Sequence, residues 1–420
     1  MREIERYSGA ITRLYGPGAP EQKERFQNLL RCFDEKFGAG RAVQLFSAPG
    51  RSEIIGNHTD HQQGCVVAAA INLDAIAAAA KSDREEIRIQ SQGYPLDTVD
   101  LGSLAPDAKE TGGSAALIRG MAAELKRRGY AVGGFDAYTT SQVLKGSGLS
   151  SSAAFEVLVG SILNGLYNEG RIPAQEIAMA ARDVENRYFG KPSGLMDQMA
   201  SAVGGLVFLD FQNPDEPVIE PIDCDFSKSG YALCVVDTGG DHTALTASYA
   251  AIAEEMKMVA RQLEQPALRG VDPDVLYASL GKLRRVCGDR ALLRACHFVE
   301  ENERVIALRD ALTAGDYRAF KQLMIQSGRS SFEYLQNVIS PGNGQEQGLS
   351  LALLLSERLL AGRGAWRVHG GGFARTILAC VPEDMLELYR SEMEQVFGSG
   401  SCYVLRVRAA GTVELRPEAD

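Results

Sequence analysis

The chain has 420 residues, of which 45% are hydrophobic and 23% are charged. That composition is typical of a globular protein rather than a disordered one, and the length favours two or three domains over one core. Forty-four basic against fifty-four acidic side chains give a formal net charge of −10, which works against non-specific binding to nucleic acid or an anionic membrane. We therefore expect neither as a partner, and any phosphate must be bound locally.

The N-terminal segment, the apolar runs and the cysteines together predict a cytoplasmic location. "MREIERYSGA" lacks the apolar core of a signal peptide. The longest apolar stretch, which begins at Cys65, is broken by Asn72 and Asp74 and is too short for a membrane-spanning helix. Eight cysteines are scattered without a C-x-x-C pair, so we expect reduced core residues, and structural zinc is not expected.

The first half of the chain mixes helical and strand patterns. The pattern predicts helix and loop up to Gly38, followed by a strand "AVQLFSAPG" that stops at Pro49-Gly50. Further strands are predicted over 65–80, 86–91 and 134–140, with an amphipathic helix "SAALIRGMAAELKRRG" among them. Helices are then predicted over 150–169 and 173–188, and a strand "GLVFLDFQN" leads into a turn cluster at 212–217.

The second half begins after this turn cluster. It contains a strand "YALCVVDTGG", two strands "WRVHGG" and "TILACVP", and a last strand over 402–408. Helical patterns occupy 244–264, 285–312, 315–338, 346–360 and 383–397. The sequence therefore predicts an α+β protein in two halves, 1–213 and 214–420.

The stretch "KGSGLSSSAAFEVLVG", from Lys145 to Gly160, has the composition of a phosphate-binding loop. Its glycines permit close backbone approach, and its serines lead into a helix whose N-terminal N–H groups favour an anion. It is neither a Walker loop nor a dinucleotide fingerprint, because no G-K-[ST] follows at the required spacing and Ser151 replaces the last fingerprint glycine. From these residues alone, an ordinary serine-capped helix is an equal alternative.

Four ordered segments resemble the galactokinases of the GHMP small-molecule kinase family. "PGRSEIIGNHTDH" at 49–61 is similar to the first family motif, and "GSGLSSSA" at 146–153 to the second. "VHGGGFARTILACVP" is similar to the triple-glycine third motif, and "GKPSGLMDQMASAVGG" resembles the segment that carries the catalytic aspartate. The resemblance runs from about residue 20 to the end. It implies a two-domain GHMP kinase fold, with a mixed-sheet N-terminal domain and a ferredoxin-like C-terminal domain.

The resemblance implies ATP-dependent phosphorylation of the anomeric (C1) hydroxyl of galactose, with ATP and Mg²⁺ required. It assigns Asp197 as the base that accepts the sugar hydroxyl proton and Arg51 as its partner, a division of labour that suits phosphoryl transfer. Independently, the apolar neighbours Leu195, Met196 and Met199 indicate that Asp197 is partly buried and needs a partner. The alternative is an aspartate that only stabilises a helix N-terminus.

The resemblance also implies the ligand contacts. Mg²⁺ is assigned to Ser152 and Glu185, whose oxygens suit this ion, although Glu185 alone would pass as part of a solvated helix face. Gly370, Gly371 and Gly372 would bring the C-terminal backbone close to the site, or simply form a hairpin turn. The implied ATP contacts are Gly146, Ser147, Gly148, Leu149, Ser150, Ser151 and Ser152, and the implied sugar contacts are Asn57, His58, Asp60, Gly194 and Tyr249.

The first motif departs from the family pattern at three positions. Glu53 stands where the family has asparagine, Asn57 where it has glutamate, and His61 where it has tyrosine. We expect His61 to be an exposed loop residue. The family glutamate helps to read the C6 hydroxyl of the sugar, so the exchange suggests two hypotheses. Either Glu53 and Asn57 pair and keep both groups in the pocket, or the substrate is a relative such as galacturonate, N-acetylgalactosamine or arabinose.

A second class of function is a nucleotide-dependent sugar sensor on the same scaffold. Fold similarity alone does not fix function, but a sensor would be expected to lose the loop residues or the catalytic acid. The serines, Arg51 and Asp197 are all present, so we favour the enzyme. We expect a monomer or a weak homo-oligomer.

Overall fold

The computed structural model describes residues 4–143, 148–190, 193–214, 216–240, 246–339, 344–373 and 375–418. Within these ranges, no helix is both long enough and apolar enough to cross a membrane. The strands are β1 (Gln44–Ile55), β2 (Cys65–Lys81), β3 (Glu86–Ser91), β4 (Leu96–Asp100), β5 (Phe135–Ser141), β6 (Leu206–Asp210), β7 (Val218–Ile222), β8 (Tyr231–Asp237), β9 (Ala365–Val368), β10 (Thr376–Pro382), β11 (Cys402–Leu405) and β12 (Val413–Leu415).

The helices occupy both halves of the chain, and two of them, α5 and α10, run on into a π-helical turn, over Glu185–Phe189 and Ser331–Leu335 respectively. The helices are α1 (Ser8–Tyr15), α2 (Ala19–Phe37), α3 (Ser114–Arg127), α4 (Ser151–Asn168), α5 (Ala174–Val184), α6 (Met196–Val203), α7 (Thr246–Gln262), α8 (Pro273–Cys287), α9 (Asp289–Thr313), α10 (Tyr317–Ser330), α11 (Gly348–Leu360) and α12 (Leu386–Phe397).

The first sheet is organised around the long strand β2. Its order in the described residues is β12-β1-β2-β5-β3-β4, and β6 pairs with the first part of β2 and carries β7 at its outer edge. β3 and β5 are parallel, whereas the other pairs in this sheet are antiparallel. Residues Cys65 to Ile71 of β2 are all buried, as expected of a central strand that is covered on both faces. The predicted strand over 65–80 is confirmed.

Helices cover both faces of the first sheet. One face packs against α3, α4, α5 and α6 through a large apolar cluster that includes Phe46, Val66 and Leu158. The other face is covered in part by α1 and α2, through Phe26, Phe33 and Ile76. Burial of such apolar area is the main stabilising contribution to the layer.

The second sheet is antiparallel, with the order β11-β8-β10-β9. Together with the helices between β8 and β9 and with α12, it gives the β-α-β-β-α-β order of a ferredoxin-like unit, as the resemblance implied. A shared apolar cluster joins the two sheets, with Val67 and Phe208 on one side and Leu233 and Leu378 on the other. The predicted α+β class and mixed N-terminal sheet are confirmed.

The turn cluster at 212–217 does not lie where the sheets divide. It connects β6 to β7, and both strands belong to the first sheet. The chain crosses to the second sheet after β7, and β12 returns to pair with β1 near the C-terminus. The division into 1–213 and 214–420 therefore does not match the sheet boundaries, because a turn between neighbouring strands and a domain linker share the same Pro and Asp composition.

The structure differs from the sequence-based expectations at three places, each for a physical reason. β1 does not stop at Pro49-Gly50 but continues to Ile55, with a shift of pairing register between Pro49 and Arg51; a bulge lets a strand accommodate proline. α8 was not predicted, although Asp272 caps it by accepting a hydrogen bond from the Asp274 N–H. The helix over 173–188 is α5 followed by a π-helical turn, which the periodicity does not distinguish from α-helix.

A buried ionic cluster joins the N-terminal helices, the first sheet and the C-terminal segment. The carboxylate of Asp74 is fully buried. It accepts hydrogen bonds from Arg25 Nη1 at 2.5 Å, Tyr15 OH at 2.5 Å, Ser47 Oγ at 2.5 Å and Arg408 Nη1 at 3.0 Å. Burial works against the charged form, but Arg25 and Arg408 outweigh it and hold the pKa of Asp74 below its usual value. This cluster connects the N-terminal helices and the C-terminal segment to the first sheet.

We expect Asp74→Asn to lower the free energy of unfolding by about 3 to 5 kcal/mol, because the buried guanidinium of Arg408 loses its charge partner. The measurement is urea unfolding at pH 7. Since the pKa of Asp74 is lowered in the folded state, the stability it contributes is present above its unfolded pKa and is lost as the pH falls.

The control is Glu35→Gln, which removes the ion pair of Glu35 with Arg31, in which both side chains are 61% exposed. Exposed pairs contribute little, so this variant should stay within about 0.5 kcal/mol of the parent. Equal losses for the two variants would contradict the role given to Asp74.

Candidate active site

The centre of the candidate site is an ion pair between β1 and α6. Arg51 Nε donates to Asp197 Oδ1 at 2.6 Å, and the two side chains are 8% and 18% exposed. Burial disfavours the guanidinium charge, but the charge and hydrogen bond of Asp197 outweigh it and raise the pKa of Arg51 above its usual value. Leu195, Met196 and Met199 are buried beside Asp197, as their sequence suggested. Asp197 is thus paired, not merely placed at a helix N-terminus.

The same arginine reaches the glycine and serine loop. Arg51 Nη1 donates to the carbonyl of Gly148, and the backbone N–H of Arg51 donates to the carbonyl of Leu149 at 3.2 Å. A third link is the hydroxyl of Ser150, which donates to Asp197 Oδ2. The first motif, the second motif and the aspartate segment therefore meet through hydrogen bonds of one ion pair.

The described part of the loop leads directly into α4. Ser150 has a φ of 56°, a left-handed conformation that costs energy for a residue with a side chain and that clusters at functional sites. α4 begins at Ser151, so its unpaired N–H groups open toward the loop and favour an anion there. Two of the expected ATP contacts, Gly146 and Ser147, lie outside the described residues.

Ser152 and Glu185 lie side by side beneath this helix start. Ser152 Oγ donates to Glu185 Oε1 at 2.8 Å, and Gln198 Nε2 donates to Glu185 Oε2 at 3.1 Å. Glu185 is only 1% exposed and begins the π-helical turn after α5, an irregularity that often occurs at functional sites. It is therefore not part of a solvated helix face.

Asp60 lies beside Gly194, from the aspartate segment. Asp60 Oδ1 accepts the His61 N–H at 2.9 Å, and a Cβ at Gly194 would lie 2.3 Å from Asp60 Oδ2, so a larger residue at position 194 would displace this carboxylate. Burial, together with the charges of Glu53 and Asp197, raises the pKa of Asp60 to about 6. The side chain is partly exposed and can accept a hydroxyl proton in a hydrogen bond.

His58 is fixed by the third motif and by His61. His58 Nε2 lies 2.9 Å from the carbonyl of Gly371, and Nδ1 lies 3.1 Å from His61 Nε2. A carbonyl only accepts, so Nε2 carries the proton. Burial lowers the pKa of both rings, that of His61 to about 3, which keeps them neutral. His61, expected to be exposed, is partly buried and orients His58.

Tyr249 of α7 packs on the same residues. Its ring is stacked on that of His58, with centroids 6.1 Å apart, and its hydroxyl donates to the carbonyl of Gly372 at 2.8 Å. A Cβ at Gly371 would lie 2.5 Å from the tyrosine ring. The close approach of the triple-glycine segment to the site is thus seen in the structure, and it is not a free hairpin turn.

Asn57 lies in the interior of the protein, beneath the candidate sugar segment. Its side chain is fully buried. Nδ2 donates to Glu53 Oε1 at 3.0 Å and to the carbonyl of Gly370, and Oδ1 accepts from Asn337 Nδ2 at 2.5 Å. The expected pairing of Glu53 with Asn57 is therefore present. The amide is surrounded by protein groups that its sequence position could not reveal.

Several residues at the site had no assigned role in the sequence analysis. His369 is buried between the first and the third motif. Its Nε2 lies 3.1 Å from Ser52 Oγ, and its Nδ1 lies 3.2 Å from Thr376 Oγ1. Burial and the charge of Arg51 lower its pKa to about 3, so it is neutral. The only local feature that could have indicated a role for His369 was its position directly before the triple glycine. On α9, His297 lies 3.0 Å from the carbonyl of Asn57, at a sequence distance that no motif covers.

Two family models match the sequence. The galactokinase galactose-binding signature matches residues 31–81, which include β1 and the segment with His58 and Asp60. The N-terminal domain of the GHMP kinases matches residues 116–205, which include the loop, α4, Glu185 and Asp197.

Solved structures agree with the family models on the fold. The galactokinase of Lactococcus lactis, complexed with galactose, has a TM-score of 0.80 at 24% identity and covers 93% of this chain and 100% of its own. The mevalonate kinase of Methanococcus jannaschii has a TM-score of 0.62 at 14% identity, with 88% of this chain and 99% of its own covered. These findings show that the chain has the fold of the GHMP kinases.

The raised pKa of Asp60 predicts a pH-dependent stability. Because the folded state holds the Asp60 proton more tightly than the unfolded state, its ionisation between about pH 4 and pH 6 lowers stability. We expect Asp60→Asn to stabilise the protein, with a gain about 1 kcal/mol larger at pH 8 than at pH 5. The measurement is urea unfolding of both proteins at each pH. The control Asp310→Asn changes a side chain that is 62% exposed, and a gain for Asp60→Asn that did not change with pH would contradict the assignment.

Proposed function

We propose that the protein transfers the γ-phosphoryl group of ATP to the anomeric (C1) hydroxyl of galactose. The observation that carries this proposal is the ion pair of Arg51 with Asp197, which lies between the loop of the second motif and the sugar segment of the first. Phosphoryl transfer depends on positioning and charge stabilisation more than on covalent chemistry. A fixed carboxylate with a fixed guanidinium supplies both.

The two residues have separate roles in the proposed reaction. Asp197 orients the C1 hydroxyl and accepts its proton as the oxygen attacks phosphorus. Arg51 pairs with that carboxylate and holds its position, and its remaining N–H groups can stabilise charge on the transferred group. The Ser150 hydroxyl holds the second oxygen of Asp197, so the carboxylate is orientated from both sides.

The loop and α4 would hold the triphosphate, with Gly148, Leu149, Ser150, Ser151 and Ser152 as its described contacts. The donor set of Ser152 and Glu185 fits Mg²⁺. Both supply hard oxygens, the ligands that Mg²⁺ prefers, and these two oxygens lie 2.8 Å apart. When bound, Mg²⁺ would neutralise phosphate charge. Ser152 and Glu185 would hold it, and Gln198 would orient Glu185.

The sugar would lie against His58, Asp60, Gly194 and Tyr249. Asp60 offers acceptor oxygens to hydroxyl groups, and the stacked rings of His58 and Tyr249 form an apolar wall. A site built to pair sugar hydroxyls rejects an epimer that leaves those groups unpaired. The cytoplasmic location and the monomeric or weakly associated state stay predictions.

We expect Asp197→Asn to lower kcat for galactose by about 10²- to 10⁴-fold, because the amide cannot accept the hydroxyl proton. The measurement is ADP release from ATP and Mg²⁺ with galactose, together with calorimetric binding of galactose. The matched control is Asp183→Asn, a carboxylate on α5 that pairs with Arg128 and whose loss should change kcat less than twofold.

The two measurements separate the enzyme from the sensor. Turnover by the parent and its loss in Asp197→Asn support the kinase. Binding of galactose without ADP release by the parent would contradict the kinase and support the sensor.

We expect Glu185→Gln to raise the Mg²⁺ concentration for half-maximal activity by about 10- to 100-fold, because a charged oxygen ligand is lost. The measurement is a Mg²⁺ titration of ADP release at saturating galactose. Glu176→Gln, on the same helix but at a side chain 37% exposed, is the control. An unchanged Mg²⁺ requirement in Glu185→Gln would overturn the assignment.

A further inference from the structure

The amide of Asn57 has no hydrogen-bonding capacity left for a ligand. An amide offers two N–H donors and two acceptor lone pairs. Both donors are used, toward Glu53 Oε1 and the Gly370 carbonyl. Both lone pairs are also used, since Asn337 Nδ2 and Ser331 Oγ donate to Oδ1 at 2.5 and 3.4 Å. Asn57 therefore connects the first motif to the C-terminal half and does not read the substrate.

Glu53, by contrast, is held through one oxygen only. Asn57 Nδ2 and Arg367 Nη2 donate to its Oε1, at 3.0 and 3.1 Å. None of the described residues donates a hydrogen bond to its Oε2. The side chain is only 5% exposed, so its conformation is fixed while one carboxylate oxygen keeps its full acceptor capacity.

The strand geometry places Glu53 on the same face of β1 as Arg51. Arg51 pairs with Ala70 and Glu53 with Ala68, without a register shift between them, and side chains two residues apart on a strand point to the same face. Their Cα atoms are about 7 Å apart at the usual rise. Since Arg51 fixes Asp197 at the reacting end, Glu53 lies farther along the same face.

The electrostatics agree with this placement. The charge of Glu53 contributes to the raised pKa of Asp60 and opposes the fall in the pKa of His58, so the carboxylate is close to both expected sugar contacts. Its charge also raises the pKa of Arg51. Glu53 thus lies among residues of the sugar segment and the catalytic pair.

We propose that Glu53 is a specificity-determining residue whose Oε2 accepts a hydrogen bond from a sugar hydroxyl, and that the substrate is a neutral hexose. The inference rests on the proposed function and deepens it. The carboxylate that the family pattern places at position 57 acts here from position 53, and Asn57 and Arg367 fix its orientation. The exchange of Glu and Asn is thus compensated within the folded site.

The same arrangement argues against a uronic acid as the substrate. Glu53, Asp60 and Asp197 place three carboxylates around the pocket, and Arg51 and Arg367 are already hydrogen-bonded to two of them. A further carboxylate on the sugar would meet these like charges at low dielectric, and the guanidinium groups of Arg51 and Arg367 are already paired with two of them. Galacturonate is therefore rejected by charge.

The test compares substrates within each protein, so that it does not depend on the fraction of folded enzyme. Relative kcat/KM values are measured for galactose, the 2-, 3-, 4- and 6-deoxy analogues and galacturonate, with the parent and with Glu53→Gln. In the parent, we expect about a 10- to 100-fold preference for galactose over the one deoxy analogue whose missing hydroxyl faces Glu53, as for a hydrogen bond to a charged group.

In Glu53→Gln, we expect this preference to fall at least fivefold and the discrimination against galacturonate to narrow. Because Arg367 is fully buried, loss of its charge partner can unfold the variant. The double variant Glu53→Gln/Arg367→Met removes the unpaired charge and should show the same loss of preference. Glu86→Gln, at a glutamate on the remote strand β3, is the matched control and should keep every ratio of the parent.

Two results would overturn the inference while leaving the kinase intact. One is that all four deoxy ratios are unchanged in Glu53→Gln and in the double variant. The other is that the parent phosphorylates galacturonate as efficiently as galactose. If the parent phosphorylates no sugar, the proposed function fails, and the ratios of calorimetric Kd values for the same sugars and variants then decide the role of Glu53.

Discussion

The buried guanidinium of Arg51 is the constraint on which the rest of the site depends. A buried charge must be paired and hydrogen-bonded, and this one has Asp197 on one side and the Gly148 carbonyl on another. To satisfy it, β1 must lie directly against the loop before α4 and against the start of α6. The need to pair one charge thus assembles segments that are about 150 residues apart in the chain.

A second set of contacts makes the sugar segment depend on both halves of the protein. Gly56 donates its N–H to Glu301, His297 faces the carbonyl of Asn57, and Asn337 donates to the Asn57 side chain. All three partners come from the C-terminal half, on α9 or just after α10. The first motif therefore has its conformation only when the second sheet and its helices are in place. This dependence explains why buried polar residues occur at the contacts between the first motif and the C-terminal half.

Local pattern was enough to predict most of the fold. The alanine-rich strand over 65–80 and the helix α4 follow from side-chain periodicity. The path of β1 through Pro49 did not follow, because a bulge is a property of strand pairing rather than of one segment. The turn at 212–217 resembled a domain boundary because its residues favour any tight turn, including the one that joins β6 to β7.

At the site, the resemblance assigned roles that stay predictions, and the structure shows which of these residues meet. Arg51, Asp197 and Ser152 lie within short motifs, whereas Glu185 lies outside the quoted segments and was assigned by the resemblance alone. The burial of Asn57 could not be predicted in this way, since it depends on Asn337 and Gly370, which are roughly 300 residues away. An exchange of two residues within one motif can thus preserve a pocket, provided that distant partners hold both of them.

The charge balance of the site supports the proposed role of Mg²⁺. Asp60, Asp197, Glu53 and Glu185 place four carboxylates at the site, whereas the guanidinium groups of Arg51 and Arg367 are already paired with two of them. A triphosphate beside Asp197 would add several negative charges at low dielectric. In the proposed reaction, Ser152 and Glu185 would hold Mg²⁺ at the start of α4, where the ion would offset that charge and the helix N–H groups would share it. On this proposal, a pocket whose carboxylates favour a neutral sugar would depend on the metal to admit ATP.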